Sequence, residues 1–101
     1  MTTNDILKAA RELLTPKGAW TQWDYARDKN GMSVPSSQDE AKCFCLLGAI
    51  LRVSRESGCL VGLTKVEAKL SKVVGNYIDW NDAPGRTQQE VLDLLDKVIE
   101  A

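Results

Sequence analysis

Histidine is absent from this chain of 101 residues. That removes the Ser-His and Cys-His pairs of nucleophilic catalysis, the H-E-x-x-H helix of zinc proteases and the commonest metal ligand. No Gly-rich phosphate loop of the P-loop or dinucleotide type occurs either. Cysteine is scarce and odd in number: Cys43, Cys45 and Cys59 form no C-x-x-C pair, so neither a disulfide framework nor a zinc module is expected. On a helix, Cys43 and Cys45 would point about 200° apart and could not grip one ion together. The three are read as core thiols, in keeping with how often free cysteine is buried. No cofactor and no metal is expected.

Long hydrophobic runs are missing too. No window reaches the roughly 18 uninterrupted apolar residues of a membrane helix, and Met1-Thr2-Thr3-Asn4-Asp5 has no basic and then apolar signal region. The expected location is the cytoplasm. A net charge of −1 argues against affinity built on phosphate neutralisation, so nucleic acid is not an expected partner. The charge is nevertheless uneven. Lys42, Arg52, Arg55, Lys65, Lys69 and Lys72 face only Glu56 and Glu67 in their stretch, whereas Asp79 to Ala101 holds six acids against Arg86 and Lys97. The lysine stripe is accounted for by a solvated helix face, with an acidic partner or nucleic acid as the functional alternative.

What is present is an average globular composition, 44% apolar and 27% charged, in a length that supports one core. The fold class expected is mainly α: residues 1–101 as a single four-helix domain, with a short β-hairpin or irregular segment between helices one and two. Four segments carry helical periodicity, each opened by Ser or Thr followed three residues later by an acid. Thr2 with Asp5 opens a helix over Ile6, Leu7, Ala10, Leu13 and Leu14, stopped by Thr15-Pro16. Ser36 or Ser37 with Asp39 or Glu40 opens the second, whose run Cys43 to Leu51 is apolar on every side and therefore central; Ser57-Gly58 ends it. Gly48 within it allows close packing by a neighbour. Thr64 with Glu67 opens the third, carrying Val66, Leu70, Val73, Val74 and Tyr77, with Gly75 weakening its last turn. Thr87 with Glu90 opens the fourth, over Val91, Leu94, Leu95, Val98 and Ile99.

Between the first two helices, Trp20 to Arg27 is rich in strand formers and leads into Asp28-Lys29-Asn30-Gly31, whose Asn-Gly pair favours a hairpin turn with Met32 to Val34 returning. A hairpin this short needs the helices behind it, with its aromatic residues as glue. The second non-helical stretch is Asp79 to Thr87, an ordered loop by composition. Asp24 with Asp28, and Asp79 with Asp82, are carboxylates at spacings that any polar chain of this length contains, so catalysis is not expected.

Two readings of the loops are open. In one, Trp20, Trp23, Tyr25, Arg27, Trp80, Asn81 and Arg86 line a common site, their aromatic faces and guanidinium groups suited to bases, rings or anions. In the other, Trp80 closes the end of the bundle, Asn81 or Asp82 caps backbone groups, and Arg86 pairs with an acid such as Asp28.

Trp20-Thr21-Gln22, Tyr25-Ala26-Arg27-Asp28, Cys45 with Gly48-Ala49-Ile50, and Trp80-Asn81-Asp82-x-Pro84-Gly85-Arg86-Thr87-x-x-Glu90-Val91 together give the chain a family likeness. It resembles an uncharacterised family of short bacterial and phage proteins, a domain of unknown function. The resemblance implies that the two loops belong to one architecture and that a phage or mobile-element setting is conceivable; it implies no activity. Such members carry Gly-Trp-Thr-Gln-Gly where this chain reads Ala19-Trp20-Thr21-Gln22-Trp23. The function expected is a non-catalytic small binding protein acting through a protein partner, of which a phage-encoded inhibitor of a host factor is one form. The alternative is a protein that binds or sequesters a small ligand or nucleotide with its Trp and Arg loops.

Overall fold

The computed structural model describes residues 2–58 and 62–101, and Cys59, one of the three expected core thiols, lies outside them. The elements run α1 (Thr3–Leu14), β1 (Ala26–Arg27), β2 (Ser33–Val34), β3 (Cys43–Phe44), α2 (Leu46–Ser57), α3 (Gly62–Val74), α4 (Tyr77–Asp82) and α5 (Gln88–Glu100). The protein is mainly helical, with five helices and a three-stranded sheet among the described residues. None of these helices is long and apolar enough to cross a membrane.

The first and last helices begin as their sequences require. Thr2 and Asp5 form a capping box on α1, and Thr87 and Glu90 form one on α5, so each side chain satisfies a backbone N–H that the helix leaves unpaired. Backbone donation from Thr2 and from Thr87 holds the Asp5 and Glu90 carboxyls below the ordinary carboxylate range. Helix α1 packs against α2, α3 and α5. Ile6, Leu7, Ala10 and Leu14 are closed off from solvent in one cluster with Leu46, Ala49, Ile50, Val66, Leu70, Val91, Leu95 and Val98. Arg11 forks onto Asp96 at 2.6 and 3.0 Å, and Gln88 donates to the carbonyls of Leu14 and Pro16, closing the C-terminal end of α1.

The second helix starts later than its sequence suggests. Ser36, Ser37, Asp39 and Glu40 cap nothing: the segment turns, Cys43-Phe44 becomes β3, and the N-cap is Cys45, whose Sγ accepts the Gly48 N–H at 3.3 Å. The reason is long-range pairing. Phe44 exchanges backbone bonds with Ala19 and Thr21, and Ala26↔Phe44 and Arg27↔Cys43 pair across the sheet, a gain that local helical periodicity does not register. Cys43 and Cys45 are thus half-buried residues at a strand and a helix cap rather than core thiols. Gly58 ends α2 in the left-handed conformation, φ 70°.

Thr64 lies inside α3, which begins at Gly62. Tyr77 belongs to α4 rather than α3, because Gly75 at φ 72° turns the chain and Asn76 caps a new helix by accepting from the N–H groups of Ile78 and Asp79. The expected loop from Asp79 therefore opens with helix and becomes irregular only after Asp82. The Tyr77 hydroxyl donates to Glu67 at 2.7 Å; burial, and then this bond, push its pKa well up.

The hairpin forms as its turn residues dictate. Ala26 and Arg27 pair antiparallel with Val34 and Ser33, and Asp28 Oδ1 accepts the N–H groups of Asn30 and Met32 across the turn. The strand order β2-β1-β3 leaves β1 central. The segment from Trp20 to Tyr25 is irregular apart from an isolated bridge at Trp20.

Candidate functional site

The geometry begins at Gly48. A Cβ there would overlap the Tyr25 carbonyl, so glycine lets the backbone of residue 25 rest directly on the first turn of α2, where the Cys45 N–H also donates to that carbonyl at 3.2 Å. The loop from Trp20 to Tyr25 is thereby laid against the start of α2, and α4 closes on it from the other side.

Asn81, buried at the C-terminal end of α4, joins the three pieces. Its Oδ1 accepts the Trp20 indole N–H at 2.7 Å and the Leu46 N–H at 3.1 Å, while its Nδ2 donates to the Thr21 carbonyl and to Asp82 Oδ1. One amide thus satisfies a half-buried indole, a first-turn donor of α2 and a loop carbonyl. Gln22 adds donors to the carbonyls of Asn81 and Ala83 at 3.0 and 2.9 Å.

Next to Asn81, Asp82 Oδ1 accepts the Trp23 N–H at 2.9 Å. This bond holds Trp23 at φ 74°, the left-handed region that costs an ordinary residue roughly 1–2 kcal/mol. The outcome is an aromatic ring held out in solvent. Trp23, Asp24, Tyr25, Ser33, Cys45, Leu47, Ile78, Asn81 and Asp82 line a cleft of about 300 Å³ between the loop, the hairpin and α4. Burial pushes the Cys45 thiol up, against the opposing bond from Gly48, so this thiol is not activated as a nucleophile.

With that geometry in place, the model of a family of unknown function, DUF6197, matches residues 1–101, the whole chain. The chain belongs to this family. No curated protein and no solved structure matches it.

The seven site residues expected from sequence are divided in this DUF6197 member. Trp23, Tyr25 and Asn81 come together at the cleft. Arg27 is outside the lining but pairs with a residue of it, its Nη2 lying 2.6 Å from Asp24 Oδ2 and also donating to the Gln22 carbonyl. Trp20 packs half-buried against the core with its indole N–H on Asn81. Trp80 and Arg86 form a separate pair: the guanidinium lies 3.9 Å from the ring centroid, donates to the Trp80 carbonyl at 2.9 Å and pairs with Glu90. The acid that Arg86 meets is Glu90, not Asp28.

The cleft residues that the sequence did not place in a common site are Ser33, Cys45, Leu47 and Ile78, with Asp24 considered only as a possible acid and Asp82 as a possible acid or a capping residue. For Asp82 there was a local signal, its place beside Asn81 in a capping-rich stretch. Nothing in the sequence places Ile78 or Leu47 at the cleft, because their position depends on α4 docking against the start of α2.

Proposed function

We propose that the protein is a non-catalytic binding protein that acts through a protein partner, which docks on the face around the Trp23, Tyr25 and Ile78 cleft. One observation carries this reading. Among the described residues four large hydrophobic side chains are exposed, and three of them, Trp23 (68%), Tyr25 (55%) and Ile78 (44%), line the same cleft. The fourth, Met32, is the neighbour of Ser33 on its rim. Scattered exposed hydrophobics are ordinary, whereas a gathered patch marks an interaction site, and tryptophan and tyrosine are the residues that most often anchor protein interfaces. The strained backbone at Trp23 adds to this support, since strain is kept where the surrounding structure holds it for a purpose.

The nucleotide reading has less behind it. No lysine or arginine lines the cleft; Arg27 is already engaged with Asp24, and Arg86 with Glu90 away from the cleft.

Capture on the immobilised protein tests the proposal. A stoichiometric partner is expected on the wild type and on a Lys65→Glu/Lys72→Glu variant, and is expected to be lost on a folded Tyr25→Ser/Ile78→Ser variant. Retention of the same partner by the cleft variant overturns the assignment of this face.

A further inference from the structure

We infer that the cleft receives the positively charged end of a lysine or arginine side chain carried on the partner, a conclusion that rests on the protein-partner reading above. The lining combines two aromatic rings, Trp23 and Tyr25, with two carboxylates, Asp24 and Asp82, and contains no basic residue. Rings attract a cation through their negative faces, and carboxylates accept its N–H groups.

The two carboxylates are not equivalent. Asp24 is already paired with Arg27 at 2.6 Å. Asp82 uses Oδ1 for both of its bonds, to the Trp23 N–H and the Asn81 amide, and its Oδ2 accepts nothing among the described residues. Asp82 is therefore the acceptor with capacity to spare.

The bond from the Trp23 N–H to Asp82 also couples the exposed ring to that carboxylate. The residue that bears the aromatic ring is thus anchored through its backbone beside an unfilled acceptor before any ligand arrives, which reduces the ordering cost of binding. Leu47 and Ile78 line the same cleft and supply apolar surface for the methylene stem that a long basic side chain carries behind its charge. The volume, about 300 Å³, is at the lower end of the roughly 300–1,000 Å³ of small-molecule sites and suits one inserted side chain.

The test is an NMR titration of the whole chain, following the Trp23 indole and Asp82 backbone signals. The probes are four blocked pentapeptides that are glycine except for a central lysine, arginine, norleucine or glutamate. The lysine and arginine peptides are expected to shift these signals saturably, with an affinity that falls as salt is raised; the norleucine and glutamate peptides are expected to leave them in place. Asp82→Asn keeps an acceptor for the Trp23 N–H and removes the charge, and is expected to weaken lysine-peptide binding about tenfold or more. Trp23→Gly suits the left-handed backbone, so it is expected to keep the fold and lose the binding.

Equal shifts from the norleucine peptide, or unchanged affinity in Asp82→Asn, overturn the inference while leaving an apolar docking face in place. Silence from the lysine and arginine peptides up to tens of millimolar overturns it as well. Retention of the captured partner by Tyr25→Ser/Ile78→Ser overturns the docking face itself, whatever the peptides do.

Discussion

Around α1 the interior consists of aliphatic side chains closed off from water, and apart from Asn81 the one fully buried polar side chain among the described residues is Ser54. Where the loop from Trp20 to Tyr25 meets α4 and the start of α2, cohesion comes instead from directed hydrogen bonds that converge on Asn81. The helical region can repack after a small change in shape, because dispersion and hydrophobic contact have no strict direction. The loop region cannot, because a removed partner leaves donors and acceptors without water or protein to meet them. The binding face proposed for the second region would therefore gain definition, at the expense of tolerance to substitution.

The sharpest test of this contrast sets Leu95→Ala against Asn81→Ala. Leu95 is fully buried in the aliphatic cluster, and its truncation is expected to lower unfolding free energy by about 2–5 kcal/mol. Asn81→Ala leaves the Trp20 indole, the Leu46 N–H and the Thr21 carbonyl unpaired and is expected to cost roughly 2–4 kcal/mol. Hydrogen exchange separates the two. Leu95→Ala should raise exchange throughout the helices, and Asn81→Ala first between Trp20 and Tyr25 and at the start of α2; uniform acceleration in both would remove the distinction.

Gly48→Ala comes next. The added methyl meets the Tyr25 carbonyl rather than a movable side chain, so a loss of about 1–3 kcal/mol is expected, measured by denaturant unfolding, together with altered Trp23 and Tyr25 resonances. A stability within error of the wild type would mean that the loop is not seated on α2.

The smallest effect is expected at the cap of α5. Thr87→Ala should cost about 1 kcal/mol and leave the cleft resonances unchanged. The Glu90 carboxyl in the same box lies below its ordinary value of 4.5, chiefly through the Thr87 N–H. A lowered folded-state pKa gives stability that is present above the unfolded value and lost as pH falls through the folded one. The difference between the wild type and Glu90→Gln should therefore be constant near neutrality and shrink on acidification below about pH 4.5. A difference that persists into strong acid would show that the charge of Glu90 is not what the cap uses.

The same contrast explains what the sequence made legible. The two true capping boxes, the glycine stop at Gly58 and the turn at Asn30-Gly31 involve partners within four residues of each other, so residue order alone reveals them. Ser36 to Glu40 and Thr64 to Glu67 show the same pattern without forming caps, because pairing with β1 draws Cys43-Phe44 into the sheet and α3 starts two residues before Thr64. Asn81 was identified as a capping residue or a ligand residue, but its partners lie 35 to 61 positions away, beyond any periodicity. Trp23 gave a hint of its own. The resemblance read from the sequence implies a glycine at its position, and its positive φ keeps a glycine-type backbone beneath a large ring.

Placed as they are, the three tryptophans also give the molecule three internal reporters. The Trp23 ring is mostly in water, the Trp20 indole proton is held by Asn81, and the Trp80 ring lies under the Arg86 guanidinium. Their emission and indole-proton exchange should thus differ residue by residue. Occupancy of the cleft, opening of the Asn81 junction and release of the Arg86 stack can each be followed in the unlabelled chain through a separate signal.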